Sequence, residues 1–354
     1  MISPRALLWR TAERLGALRI WQLAGTHGSL TVIGLHRVLP LDDDRWPWAI
    51  PEFTITDRLF SSSLDFLARR FTVVDPDRVL AALSDGDPLP PRALLVTIDD
   101  GWMDAVDVAA PILSRKGLPS LLFVAVGHVG SEHGIWQNEL HARLHFNGAA
   151  AVVEALRVQT ELSVSLPDVV NLSHVFDALC ESLEPLAPAQ RRAVLDRLGT
   201  LPSRRGSPQF VTPADLRTAG SLGMALGLHG MTHERLTGEV DLDLELITAR
   251  DRLAGWLGRE PASLRTMSLP HGRYSPSVLA RARTAGYDAI FTSELTVTPL
   301  RLHRPTASVF GRLWIGQRSL ATDRGELETS AFYSRLLRAP RRVPAETPSP
   351  WFRS

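Results

Sequence analysis

The most chemically loaded stretch of the sequence is Thr97-Ile98-Asp99-Asp100-Gly101, where two adjacent carboxylates end the apolar run Ala93-Leu94-Leu95-Val96. An unbroken run of this kind predicts a fully buried strand, and a parallel sheet carries its chemistry at the ends of such strands. Two ionised carboxylates there repel each other and lose hydration. They need compensation, most simply from a metal cation and a hydrogen-bonding partner. A second apolar run, Met224-Ala225-Leu226-Gly227-Leu228, leads into His229-Gly230-Met231-Thr232-His233, which offers two imidazoles four positions apart. One aspartate and two histidines make a three-ligand set with positions left open for water and substrate.

The elements that must position these groups follow a regular pattern. Strand-like runs occur at Leu30–His36, Phe71–Val74, Ala93–Ile98, Ser120–Val126, Met224–Leu228, Leu264–Leu269, Asp288–Thr292 and Thr306–Phe310. Helical periodicity occupies Asp57–Arg70, Ala105–Lys116, Asp241–Leu257 and Ser275–Ala285. Strands joined by helix-length connections argue for parallel pairing. Residues from 131 to about 212 break the rhythm with helix-like stretches at Ala149–Val158 and Pro188–Leu198 and read as a helical insertion. The expected fold is therefore an α/β deformed barrel of seven or eight mostly parallel strands. No glycine-rich dinucleotide fingerprint or Walker sequence supports a Rossmann sheet instead. His36, Asp99, Asp100, His229, His271 and His303 all fall at or near the ends of apolar runs, where a barrel keeps its active groups.

Composition limits the partners. With 354 residues, 44% hydrophobic, the chain can bury a large core, and a formal charge of +1 offers no strong field for nucleic acid. The single cysteine, Cys180, rules out an internal disulfide framework and a multi-cysteine metal site. No apolar stretch approaches the length of a membrane span. Residues 1–26 read as an amphipathic basic helix, because Arg5, Arg10, Glu13, Arg14 and Arg19 interrupt its apolar positions. That pattern is not a signal peptide and implies a cytoplasmic protein, with the helix packed on the main domain or lying on the inner membrane surface. The catalytic domain is expected over residues 27–335, followed by a disordered tail over 336–354, rich in proline and arginine. Oligomeric state is not legible.

Together these motifs resemble the polysaccharide deacetylases of the NodB-homology type, also known as carbohydrate esterase family 4. Thr97-Ile98-Asp99-Asp100-Gly101 is similar to that family's Thr-Phe-Asp-Asp-Gly, and His229-Gly230-Met231-Thr232-His233 matches its paired-histidine motif. Ala109-Ala110-Pro111-Ile112-Leu113 and Gly286-Tyr287-Asp288-Ala289 fit the flanks, and the resemblance covers roughly residues 30–310 outside the insertion. It implies a metal-dependent hydrolase that removes N-acetyl groups from an acetylated glycan or a lipid-linked sugar precursor. Asp100, His229 and His233 would be the metal ligands and Asp99 the general base. Zn2+ is the expected ion, with Co2+, Ni2+ or Mn2+ also compatible with this donor set. Leu35-His36-Arg37-Val38 resembles an early element of the branch that contains biofilm poly-N-acetylglucosamine deacetylases, which makes His36 the first choice of general acid and His303 the second.

The third family motif is altered. Ser268, Pro270 and His271 stand where an arginine, a proline and an aromatic residue are usual, so the arginine that would orient the base is missing there, and Arg304 or Arg273 would have to replace it. Pro270, His271, Gly272, Tyr274 and Arg304 are expected to line the substrate groove. Trp102 and Trp136 are of a type that stacks on sugar rings, though aromatics near a site more often simply pack. Plainer explanations exist for each piece: paired aspartates cap helices, and histidines four apart are often just packed. Two other functions share the scaffold, an amide or ester hydrolase acting on a small non-sugar substrate and a catalytically silent glycan-binding barrel.

Overall fold

The structure, a computed structural model, describes residues 11, 16, 28–132, 134–157, 172–202, 209–300 and 308–344. The expected N-terminal helix lies outside the described residues apart from Thr11 and Gly16. The chain divides into two compact units, one drawn from residues 1–41, 51–130 and 210–354 and the other from 42–50 and 131–209.

The larger unit is a nearly closed, barrel-like sheet of eight strands, as the alternating pattern predicted. In chain order these are β1 (Ser29–Leu35), β2 (Ala93–Ile98), β3 (Ser120–Val124), β4 (Met224–Leu228), β5 (Thr266–Ser268), β6 (Ala289–Phe291), β7 (Ser308–Phe310) and β8 (Leu313–Trp314). Strands β1 to β7 are successive parallel neighbours, and β8 returns to lie parallel to β1. Only Gly311 and Arg312 separate β7 from β8, so this dipeptide spans the seam at which the sheet closes. Two short edge pieces are added: Thr72–Val73 runs parallel to β2, and Thr298–Pro299 runs antiparallel to β1. Arg37–Leu39 pairs separately with Thr54–Thr56.

The continuous apolar runs exist because both strand faces are covered. Leu30, Val32, Leu95, Leu121, Phe123, Phe291 and Phe310 gather in one core cluster. Their alternating neighbours Ile33, Leu35, Leu94, Val96, Ile98, Leu122 and Val124 join a second, which also holds the buried stripes of the surrounding helices. The period-2 geometry of a strand sends successive side chains to the two clusters. Gly34 lets β1 pass close to the Trp314 indole, which a Cβ there would approach to 3.0 Å. A helix runs over Thr329–Arg338, Leu336 is fully buried, and Arg341 bridges Val297. The stripe Phe332, Tyr333 and Leu336 supplies enough apolar surface to hold it. Among the described residues no helix is long and apolar enough to cross a membrane.

The smaller unit is helical. Trp136–Asn147, Ala149–Arg157, Leu172–Leu183 and Pro188–Asp196 enclose a core of Leu140, Leu144, Val152, Val175, Leu179, Leu183 and Leu195. Buried Glu139 is paired with Arg143 at 2.6 Å and with Arg192. Trp136, one of the two tryptophans considered for sugar stacking, has the Arg191 guanidinium over its ring at 4.7 Å. Phe210 and Val211 belong to the larger unit, where they pair with Trp102 and Gly101.

Candidate active site

Asp99 and His229 each sit one step beyond a strand and keep the ladder going. The Asp99 N–H donates to Leu35 O at 2.9 Å, and the His229 N–H donates to Val124 O at 2.9 Å. The chain then turns sharply. Among the described residues four non-glycines have positive φ, and three of them are Asp100 (78°), His233 (60°) and His271 (56°). A left-handed backbone costs about 1–2 kcal/mol per ordinary residue, and such strain concentrates where geometry is imposed for function.

The turns bring three ligand-type atoms together. Asp100 Oδ1 lies 3.3 Å from His229 Nε2 and 3.3 Å from His233 Nε2. One ligand atom from each of the three residues falls within 4.8 Å of the others. Two observations fit this set to a cation. Asp100 Oδ1 is buried yet accepts no hydrogen bond. His229 Nδ1 meets Ser268 O at 2.8 Å, which assigns the proton to Nδ1 and turns the Nε2 lone pair toward Asp100 Oδ1. Two acceptors facing each other require a proton or a metal ion between them. Burial pushes the Asp100 carboxyl up, but the imidazoles of His36, His229 and His233 outweigh this and hold it well below the ordinary value. Burial lowers His229, and the Asp99 and Asp100 carboxylates more than reverse it, so its pKa is raised.

Asp99 is held apart from this set by a different network. Its Oδ1 accepts from Arg312 Nη1 at 2.7 Å and its Oδ2 from the Ser268 hydroxyl at 3.0 Å, while Arg312 Nη2 donates to Ser268 Oγ at 2.8 Å. Arg312 is fully buried and also donates through Nε to Thr292 O at 3.0 Å. Burial pushes the Asp99 pKa up, but the charges of Arg312 and His229 and the Arg312 hydrogen bond outweigh it, so Asp99 stays ionised below the usual carboxylate range. The place expected of Arg273 or Arg304 is thus filled by Arg312, delivered by the seam between β7 and β8.

His36 follows β1 and is sandwiched by aromatics. Its ring stacks on Trp314 at 4.6 Å and meets Phe53 at 5.0 Å. The Arg312 guanidinium lies 4.3 Å from the centre of the Trp314 ring. Burial lowers the His36 pKa, and the nearby Asp100 and Asp99 charges restore only part of it. His303 and Arg304 lie outside the described residues.

The paired-histidine loop is clamped from behind by Glu245. This buried carboxylate accepts from the N–H of Met231 at 2.6 Å, from the N–H of Thr232 at 3.2 Å and from the Thr232 hydroxyl. Gly230 has φ 76°, and a Cβ there would lie 2.6 Å from Glu245 Oε2, so a side chain at this position would have to displace the clamping carboxylate. His271 Nε2 lies 3.1 Å from His233 O, bracing the same loop from the other side.

Several residues named from sequence for substrate contact have structural partners of their own. Trp102 is fully buried, where no sugar can reach it, because Arg37 covers its ring at 4.4 Å and Phe210 stacks on it at 4.2 Å. Pro270 is buried, and Tyr274 is buried with its hydroxyl donating to Glu294. A Cβ on Gly272 would collide with Ser293, so this glycine serves a tight backbone approach. Arg312 and Glu245 were missed from sequence. The signal for Arg312 was a lone charge between the apolar pairs Val309-Phe310 and Leu313-Trp314. Glu245 carried no signal, because it lies among the acidic residues of a helix start.

Barrel topology with a carboxylate-histidine cluster at the strand ends defines an α/β barrel that carries a metal-ligand-type site. The family model for polysaccharide deacetylase matches residues 86–290, more than half of the chain, and the chain belongs to that family. None of the curated proteins matches it. Among solved structures it is similar to IcaB from Ammonifex degensii, with 19% identity, 87% of this chain and 97% of that chain covered, and a TM-score of 0.53. It is also similar to the Streptococcus pyogenes deacetylase PplD in complex with acetate, with 15% identity, coverage of 82% and 94%, and a TM-score of 0.52. At these identities the likeness establishes the shared fold.

Proposed function

We propose that the protein is a metal-dependent hydrolase that removes N-acetyl groups from an acetylated amino-sugar glycan. The observation that carries this reading is the convergence of Asp100 Oδ1, His229 Nε2 and His233 Nε2 beside a second carboxylate, Asp99, held in a separate network. A divalent cation on those three ligands, Zn2+ by donor type with Co2+, Ni2+ and Mn2+ as alternatives, would supply a Lewis acid that polarises the amide carbonyl and acidifies water.

The chain's own residues account for the proton movements. Asp99 stays ionised at neutral pH because the charges of Arg312 and His229 outweigh its burial, so it is ready to take a proton from attacking water. The hydrogen bonds from Arg312 and Ser268 would leave Asp99 to act as a base rather than as a ligand when a cation is bound. His36 is the group proposed to protonate the amine as the C–N bond breaks. Its lowered pKa makes the imidazolium a stronger acid than an ordinary histidine, at the cost of a smaller protonated fraction at neutral pH. In sum, the hydroxyl of water joins the acyl carbon and its proton reaches the nitrogen, giving acetic acid and an amine, which separate at neutral pH as acetate and an ammonium group.

Acetate release from N-acetylglucosamine oligomers, measured beside acetylated xylan and simple amides, tests the reading. Release from the first substrate alone is expected. Turnover of simple amides without release from the oligomers would assign the site to small-molecule hydrolysis.

A further inference from the structure

Asp100 has two oxygens, and the structure treats them differently. Oδ1 faces both imidazoles and accepts no hydrogen bond, while Oδ2 accepts from Trp102 Nε1–H at 2.8 Å. Trp102 has no freedom to withdraw. One face of its indole lies against Arg37 at 4.4 Å, and Phe210 stacks on it at 4.2 Å. Arg37 is itself locked by two hydrogen bonds to Asp104 Oδ2, at 2.9 and 2.7 Å, and both residues are fully buried. Phe210 in turn stacks on His128 at 5.0 Å, and His128 Nε2 lies 3.4 Å from Thr232 O in the paired-histidine loop. A continuous stack of Arg37, Trp102, Phe210 and His128 therefore ties the loop that carries Asp100 to the loop that carries both histidines.

We propose that Trp102 is a positioning residue that decides how Asp100 meets the cation: its N–H claims Oδ2 and leaves Oδ1 as the one oxygen offered to the metal. This rests on the metal-site reading above. A carboxylate free at both oxygens can bind a cation through either or both, whereas a single offered oxygen keeps the coordination number low and a position open for substrate. Outer partners that orient a ligand in this way are worth about 10- to 100-fold in metal affinity.

The test uses the full chain with Zn2+ and Co2+ as probes. Trp102→Phe keeps a ring in the stack and removes the donor. Zn2+ affinity, measured by competition with a chromophoric chelator, should weaken about 10- to 100-fold. The visible spectrum of the Co2+-loaded protein should lose intensity, as expected when Asp100 binds through both oxygens and the coordination number rises. A fall in thermal midpoint with unchanged Zn2+ affinity and an unchanged Co2+ spectrum would overturn the proposal and leave Trp102 a packing residue. Should Trp102→Phe not fold, site-specific replacement by benzothienylalanine, an indole isostere with sulfur in place of N–H, gives the same two readouts. If the wild-type protein binds neither ion, the metal-site reading fails first, and that result is distinct from a tryptophan effect.

Discussion

Arg312 Nη1 lies 2.7 Å from Asp99 Oδ1, and Arg312 is one of only two residues between the strands that close the barrel. Closing the sheet and holding Asp99 are therefore one structural act. Arg312→Gln leaves Asp99 buried without its cation, and losing one partner of a buried pair costs about 3–5 kcal/mol. The direction of the pH effect follows. Asp99 is depressed because Arg312 and His229 outweigh burial, so without Arg312 burial raises it. A base must be ionised, so the acid limb of the kcat/KM profile should move to higher pH. A variant with the wild-type limb would show that Arg312 does not set the base. The same depressed pKa gives wild-type stability that is present above the unfolded aspartate value and is lost as pH falls through the folded one.

Asp99 and Asp100 adjoin in sequence but should separate cleanly in function. Asp99→Asn should retain stoichiometric Zn2+ and lose about 10²–10⁴-fold in turnover, the usual worth of a general base. Asp100→Ala should lose Zn2+ itself. Metal content by elemental analysis beside acetate release distinguishes them, and full activity in Asp99→Asn would remove the base assignment.

The assignment of His36 as acid predicts a dependence on leaving group. A departing amine needs a proton and a nitrophenolate does not. His36→Asn should therefore lose far more activity on N-acetyl glycan than on p-nitrophenyl acetate. Equal losses on both would mean that His36 serves the site through its stack with Trp314 rather than as a proton donor.

Glu245 is a buried carboxylate whose recorded acceptor bonds all serve residues 231 and 232. Glu245→Ala should strand those N–H groups, at about 1–3 kcal/mol for each buried group left unpaired, and loosen His233. Chemical denaturation should report the lost stability and Zn2+ titration a weaker site. Undiminished metal affinity would show that the loop keeps its shape without the clamp.

Much of this was legible in the sequence, for physical reasons. A strand buried on both faces must be apolar throughout, so Ala93–Ile98 announced itself, and the polar residues that ended such runs had to be at the barrel mouth. Asp100, His229 and His233 could be gathered from that rule and the motif resemblance. Arg312 could not, because its partner is 213 positions away and the pairing depends on where the seam closes. The partner of Trp102 was hidden for a related cause. Its type suits sugar stacking, but the indole points inward, where its N–H serves Asp100, and only packing against Arg37 and Phe210 reveals that. Ser268 shows the reverse: read as the loss of an arginine, it provides a hydroxyl that lets an arginine from elsewhere take the role.

The central claim is that Asp100, His229 and His233 hold one divalent ion on which hydrolysis depends. The most direct measurement is acetate release from N-acetylglucosamine oligomers by chelator-treated protein, before and after one equivalent of Zn2+ per chain. The account predicts no release before and recovery after, with no recovery in Asp100→Ala. Undiminished release by the chelated protein, or recovery in Asp100→Ala equal to wild type, would contradict it.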